Sequence, residues 1–538
     1  MHYDYIIIGG GTAGCALAAT LSEGANVLVL ERGGSPYGNE NIENKDDFGF
    51  NLDDMSPFSP AQQFLSEDGV LNARARVLGG GSAINAGFYS RASSEYVAKA
   101  GWDGASVDHS YEWVERKVAF EPPVMQFQSA VKNALLEVGV DPDNGFTFEH
   151  MYGTKIGGTS FDRNGRRHTA ADLLEYANPK RIAVYLYATV HKVLIDDNGF
   201  RRPKVVGVKF RDELGIKHRA FVRLGAMNEV ILSAGAIGSP QLLMLSGIGP
   251  WKELRLHGID VVLDQPMVGQ GMADNPMNGV LVPSRIPVET SLIQVVGITR
   301  FDNFIEAASG STMASALAMN LLPKTKVFPS QQMQDGNQSP NWSYEQEMPP
   351  EMANAYAFIN SLVNGSTYGG LVLEKTTGPI SKGHLVLKSK DPNDNPSVTF
   401  NYFEDPTDLK RCIQGMETVI DVVKSRSLSR FRYPDMTVES LLKTMLDLPL
   451  NARRRYPHTG TVSLERFCRD TVMTIWHYHG GCVVGKVVDE DYKVIGVDGL
   501  RVVDGSTFDS TPGTNPQATV MMLGRYMGKK ILLERYQG

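Results

Sequence analysis

Cysteine is scarce in this chain, with four in 538 residues. Four thiols are compatible with a reduced cytosolic enzyme or with bridging in an oxidising compartment. A basic excess is missing as well: 53 Lys and Arg face 60 Asp and Glu, for a formal charge of −7. That balance argues against a nucleic-acid surface. The basic cluster Arg453-Arg454-Arg455 reads as a solvated loop, or less readily as a device steering a substrate carboxylate. No apolar run is long and glycine-free enough to span a bilayer. There is no internal repeat and no low-complexity tract, and no metal site is expected. At this length, and with 42% hydrophobic residues, the chain should form two domains rather than one simple core.

Glycine, in contrast, is plentiful, and it is concentrated where chemistry is expected. The chain opens Tyr5-Ile6-Ile7-Ile8-Gly9-Gly10-Gly11-Thr12-Ala13-Gly14. An apolar strand runs into Gly-x-Gly-x-x-Gly and then into a helix-forming stretch. A second strand, Val27-Leu28-Val29-Leu30, ends at Glu31, 22 residues beyond Gly9. Strand, glycines, helix and acid together are the dinucleotide fingerprint. Gly9 permits the tight turn, Gly11 lets a pyrophosphate approach, and Gly14 lets helix and strand pack. Glu31 is placed to accept hydrogen bonds from ribose hydroxyls. Near the other end lies Trp476-His477-Tyr478-His479-Gly480-Gly481-Cys482, with Asn515-Pro516-Gln517 following 38 residues after His477. A histidine with a second polar residue supplied from a distant loop is a proton-handling pair. A satisfied core histidine is the plainer alternative.

Three further segments identify the dinucleotide. Ala75-Arg76-Val77-Leu78-Gly79-Gly80-Gly81-Ser82-Ala83-Ile84-Asn85 and Ser233-Ala234-Gly235-Ala236-Ile237-Gly238-Ser239-Pro240 resemble two signatures of the glucose–methanol–choline (GMC) flavin oxidoreductases. His477-x-x-Gly480 is similar to the opening of that family's C-terminal catalytic segment. Within the family the chain resembles the plant branch with HOTHEAD-like and mandelonitrile-lyase-like members. The resemblance covers essentially the whole chain. It implies an α/β fold: a Rossmann-type FAD-binding domain with a discontinuous α+β substrate domain containing an antiparallel sheet. The FAD-binding domain is expected at 1–90, 160–280 and 480–538, and the substrate-binding and connecting segments at 91–159 and 281–479. Residues from about 280 to 375, rich in Met, Ser, Asn and Gln, read as loops and helices over the flavin. Gly383–Ser389 and Ser397–Tyr402 read as antiparallel strands about a turn cluster at 391–396.

The resemblance implies FAD, held by the fingerprint residues Gly9, Gly11, Thr12, Gly14 and Glu31, by Arg32, Gly80, Ser82, Asn85 and Val190, and by Asp504, Gly505, Asn515, Pro516 and Gln517. Val190 would face the adenine, and Asp504-Gly505 the ribityl–pyrophosphate region. On pattern alone Val190 is a strand residue, Asp504-Gly505 an ordinary turn, and Asn85 equally a turn cap. Some family members tether FAD through a histidine just before that Asn. Here the position is Ile84, so non-covalent FAD is expected. The resemblance also implies a Cys412–Cys468 disulfide. Cys15 and Cys482 read as buried packing residues.

A flavin accepts hydride at N5, and the protein places the substrate and handles its proton. His477 is the candidate base and Asn515 its partner at the substrate oxygen; His479 should point away, because alternate residues of an extended segment face opposite sides. Trp476, Ile475 and Ile305 are the expected pocket walls. In the family's hydroxynitrile lyases the positions matching Asn515, Ile475 and Ile305 carry His, Tyr and Cys. Those departures favour oxidation of an alcohol over cyanohydrin cleavage, and over an idle flavoprotein. A long-chain ω-hydroxy fatty acid is one substrate the resemblance implies; an aromatic or terpenoid primary alcohol fits as well. The electron acceptor is not legible, with dioxygen among the candidates. Acceptor triplets for N-glycosylation at Asn337, Asn341 and Asn364 point to the secretory pathway or the cell exterior. A targeting segment is then expected to be absent from the chain as given.

Overall fold

Tyr5–Ile8 is buried at every residue, and a short apolar strand buried on both faces belongs inside a parallel sheet. In the computed structural model it occupies the centre of a five-stranded sheet. Val27–Leu30 and then Ile182–Tyr185 lie to one side of it, Glu229–Leu232 and Leu500–Val502 to the other. Every pairing in this sheet is parallel. The structure describes residues 2–54, 56–196, 202–310, 368–454 and 461–537, with 317, 321, 353, 354, 357 and 359–361 besides. The triplets at Asn337, Asn341 and Asn364 lie outside the described residues, as does Arg455. Helix Thr12–Leu21 packs on one face of the parallel sheet beside the C-terminal helix Gln517–Gln537. Two ends of the chain thus close around the same fingerprint strand.

A second, seven-stranded sheet is built from Met473–Thr474, Pro276–Ser284, Tyr368–Thr376, Asn303–Ser309, Val295–Ile298, Gly153–Ile156 and Asp143–Phe146, in that order. All its neighbours are antiparallel except the last pair. Here the structure corrects the sequence reading: the described part of 280–375 is mostly strand rather than loops and helices. The expected period of two is missing because the long strand Pro276–Ser284 is buried at all nine residues. Helices Gln126–Glu137 and Pro406–Lys424 cover one face of the sheet. Phe88, Ile293, Val296, Ile298 and Phe304 form a separate cluster on the other. Gly383–Val386 and Ser397–Thr399 do pair antiparallel, in a small sheet with Gln270–Met272.

Helix Pro406–Lys424 carries Cys412 and the short helix Leu464–Asp470 carries Cys468; the two sulfurs are bonded at 2.10 Å. The remaining cysteines, Cys15 and Cys482, are free and buried. Among the described residues no helix is long and apolar enough to cross a membrane. The bridge closes a loop of 56 residues, and cross-links of that kind contribute about 2–5 kcal/mol. The double variant Cys412→Ala/Cys468→Ala should therefore melt several degrees lower than the wild type by calorimetry, with its flavin absorbance intact before the transition.

Candidate active site

The carboxyl ends of the parallel strands converge on one elongated cavity. It is lined by the fingerprint residues Gly9, Gly11 and Thr12, by Glu31 and Arg32, and by Gly80, Gly81, Ile84 and Asn85. Val190, Asp504, Gly505, Asn515, Pro516 and Gln517 complete the walls, and Ile475, Trp476 and His477 close one end. Helix Thr12–Leu21 begins at this cavity with no side chain capping it, which leaves its first N–H groups for an anion. Glu31 is fixed by accepting hydrogen bonds from Gly10 N at 2.9 Å and Gly33 N at 2.8 Å. Burial pushes its carboxyl above the usual range, so a hydroxyl donor there would relieve the buried charge. Arg32 donates to Gln62 and to the carbonyl of Ala75. Gly80 sits so close to the fingerprint loop that a Cβ on it would lie 2.7 Å from the Gly11 Cα.

The His477 end of the cavity is built on the edge of the seven-stranded sheet. Met473–Thr474 pairs with Pro276 and Met277, and the chain then turns through Trp476 at φ 59°. Just upstream of that pairing, Asp274 is sealed from solvent and accepts hydrogen bonds from Tyr402 OH at 2.6 Å, Thr474 Oγ1 at 2.7 Å and the His477 N–H at 2.8 Å. His479 N–H and carbonyl pair with Ala273, while its Nδ1 bonds the His477 carbonyl at 3.0 Å; the ring does point away from the cavity. Gly480 then passes so near Gly271 that a Cβ would meet the Gly271 oxygen at 2.0 Å. Gly480 therefore serves a close crossing of two backbones, while a Cβ on Gly481 would press on the side chains of Met272 and Pro240.

His477 is left with its imidazole facing the cavity and both nitrogens addressed. Asn275 Nδ2 lies 3.1 Å from Nδ1, and Thr511 Oγ1 donates to Asn275 Oδ1 at 2.7 Å. Asn515 Nδ2 lies 3.5 Å from Nε2, and Asn515 Oδ1 has no partner. Burial, with Lys375 and His479 nearby, holds the His477 pKa well below its ordinary value. The ring is therefore neutral at neutral pH. Burial also pushes the Asp274 carboxyl up to about 7.

Family models described as GMC oxidoreductase match residues 3–277 and 379–524. The chain belongs to the GMC oxidoreductase family. It is similar to Protein HOTHEAD of Arabidopsis thaliana, 52% identical over 99% of this chain and 88% of that protein. A sinapyl alcohol oxidase of Nesocodon mauritianus is 43% identical, covering 99% and 89%. (R)-mandelonitrile lyase 2 of Prunus dulcis is 41% identical, covering 99% and 87%. Among solved structures, a pyridoxine 4-oxidase of Mesorbium loti shares the fold, with TM-score 0.73, 21% identity and 98% of each chain covered. This GMC oxidoreductase is an FAD-dependent enzyme. The residues present fit that cofactor. The uncapped helix start suits a pyrophosphate, Glu31 a ribose, and the apolar end beside His477 a flat ring. Trp476 Nε1 and Asn515 Oδ1, both buried without partners, await polar atoms of a ligand.

Not every expected residue touches the cavity. Gly14 lies behind it, where a Cβ would come 2.0 Å from the Gly9 oxygen, so its role is helix–strand packing. Ser82 is also behind, bonding the Gly79 carbonyl and accepting from Ala170 N. Asn85 lines the cavity but spends its side chain on Gly87 N, Gln517 and Arg167. Asp504 likewise bonds Gly235 N, Ser239 and Ser506 N. The expectation for Ile305 is corrected: it points from Asn303–Ser309 into the core cluster shared with helix Gln126–Glu137, away from the cavity. Its neighbours in sequence, Phe304 and Glu306, take the opposite face, because strand residues alternate. Sequence reading missed Asp274, Asn275, Thr511, Thr474 and Tyr402. The one available signal was a polar pair, Asp274-Asn275, set in an otherwise apolar strand approach.

Gly14→Ala should yield protein that binds no FAD, read as loss of flavin absorbance after desalting. Asp274 gives a pH prediction. Its folded pKa is raised above the unfolded value of 3.8, so its contribution to stability is present at low pH and is lost as pH rises towards 7. The melting-temperature advantage of wild type over Asp274→Asn should shrink between about pH 4 and pH 7.

Proposed function

We propose that this enzyme oxidises an alcohol to the aldehyde, with His477 as the base that takes the hydroxyl proton. The observation that carries the reading is the convergence of His477 Nε2 and the Asn515 amide, 3.5 Å apart, on the wall of the cavity beside Ile475. FAD supplies the hydride acceptor when bound. A hydroxyl set between His477 and Asn515 gives its proton to Nε2, whose lone pair is free because burial keeps the ring neutral. The Asn515 amide donates to the same oxygen as negative charge grows on it. Asp274 holds the His477 backbone, so the imidazole need not reorganise during the transfer.

The walls favour oxidation over the lyase alternative. Ile475, Trp476, Phe88 and Ile293 line the same cavity as His477, and Asn515 is the polar side chain that faces its Nε2. A cyanohydrin site uses a further ionisable or hydroxyl group beside the histidine to hold and protonate cyanide, and Asn515 and Ile475 offer none. The sinapyl alcohol oxidase among the relatives supports the same choice. An apolar wall suits a primary alcohol on an aromatic, terpenoid or long-chain ω-hydroxy acid framework. Ile84 beside Asn85 supports non-covalent FAD, since no nucleophile stands there. The Cys412–Cys468 bridge supports a secretory or extracellular location. The reading also assigns 1–90, 160–280 and 480–538 to the cofactor and the remaining segments to the substrate cover.

His477→Ala should slow anaerobic flavin reduction by about 10²–10⁴-fold, the usual worth of a positioned base, while FAD stays bound. An anaerobic panel of aromatic, terpenoid and ω-hydroxy alcohols should bleach the flavin. Rapid cleavage of mandelonitrile without bleaching by any alcohol would reverse the assignment.

A further inference from the structure

We propose that Asn275, backed by Thr511, is the positioning residue that decides which nitrogen of His477 carries the proton, and that the working enzyme keeps it on Nδ1. A neutral imidazole has one N–H and one lone pair. Two amide groups face this ring: Asn275 at 3.1 Å from Nδ1 and Asn515 at 3.5 Å from Nε2. Both present Nδ2. A neutral ring can accept from one of them only, so one amide must be turned end for end, an exchange that leaves heavy-atom positions almost unchanged.

Two consistent arrangements remain. In the first, Nδ1–H donates to Asn275 Oδ1, Asn275 Nδ2 donates to Thr511 Oγ1, and Asn515 Nδ2 addresses the Nε2 lone pair. In the second, Asn275 Nδ2 donates to Nδ1, Thr511 donates to Asn275 Oδ1, and Nε2–H faces Asn515. The second leaves no lone pair towards the substrate. The first leaves it where the base role needs it, and the inference rests on that role. The first also suits the protonated state of the ring. Once Nε2 takes a proton the ring is an imidazolium, both nitrogens donate, and Asn275 must already offer its oxygen. Asn275 is fully buried and Thr511 nearly so (0% and 6% exposed), so both are removed from bulk water. Thr511 makes both arrangements possible because a hydroxyl donates or accepts.

Charges around His477 set the background on which the pair acts. Lys375, from the strand Tyr368–Thr376, and His479 disfavour the imidazolium. The nearest carboxylate, Asp274, is committed to the His477 backbone N–H, Thr474 and Tyr402. Asn275 is thus the group that meets Nδ1 directly.

The test combines spectroscopy with kinetics on the FAD-loaded enzyme. In protein labelled with ¹⁵N-histidine, with His477→Gln assigning the resonance, the neutral ring should show protonated Nδ1 and bare Nε2. Asn275→Asp places an ionisable acceptor at Nδ1 that, paired with the imidazolium, can only accept. It should keep turnover within about tenfold and move the acid limb of kcat/KM up by about one pH unit or more, since a carboxylate stabilises the imidazolium. Asn275→Leu should lose about 100-fold or more in flavin reduction with FAD content unchanged. Thr511→Val, which removes only the hydroxyl, should fall between. If Asn275→Leu does not fold, the labelled wild type and the other two variants still decide. A wild-type ring protonated at Nε2, or an Asn275→Asp pH profile superimposable on wild type, overturns the proposal. If His477→Ala reduces flavin at full rate, the base reading fails instead, and the nitrogen resonances still report the tautomer.

Discussion

A carboxylate sealed from water is costly unless its lone pairs are used, and the His477 end of the cavity is organised by one such group. Asp274 is 1% exposed. Its oxygens are taken by Tyr402, Thr474 and the His477 backbone. Those bonds join the strand Pro276–Ser284, the edge strand Met473–Thr474 and the loop beyond the small sheet. They also hold the chain through Trp476, whose positive φ an ordinary residue adopts only when its surroundings enforce it. Thr474 adds a second grip by accepting from the Trp476 N–H at 2.8 Å. Without that carboxylate the backbone carrying His477 would lose the contact that aims the imidazole at the cavity.

Around this anchor the site divides its polar work sharply. One end, from the uncapped helix to Glu31, is rich in backbone donors and suits a dinucleotide. The other end brings the apolar Ile475 together with His477, Asn515 and the indole of Trp476. Burial, with Lys375 and His479 nearby, holds the His477 pKa well below its ordinary value, and the proposed base role starts from the neutral ring. Family relatives that oxidise alcohols and relatives that cleave cyanohydrins share this scaffold. The fold alone therefore does not separate the two activities.

Much of the cofactor half was legible because its constraints are local. Gly14 is demanded by a contact within one strand–turn–helix unit, where a Cβ would lie 2.0 Å from the Gly9 oxygen, Gly9 by the positive φ of the turn itself, and Glu31 follows the next strand. The strands Gly383–Val386 and Ser397–Thr399 were legible for the same reason, a turn cluster between alternating segments. The seven-stranded sheet was not. Its central strands are buried on both faces, which erases the alternation, and their partners lie far along the chain. Ile305 illustrates the cost: one step along a strand reverses the facing, and no pattern in the sequence sets that register. Asp274, Thr511 and Tyr402 come together from segments separated by more than a hundred residues, so no spacing could connect them.

Sequence by itself determined the dinucleotide fold, the family, the pairing of His477 with Asn515 and the apolar residue at Ile475. These follow from residue type at short range or from matched motifs. Only the tertiary structure decided what holds His477 in place, which of the predicted residues face the cavity, and that Gly480 serves a backbone crossing. Those are matters of burial and register, and both are set by contacts between segments that sequence order keeps apart.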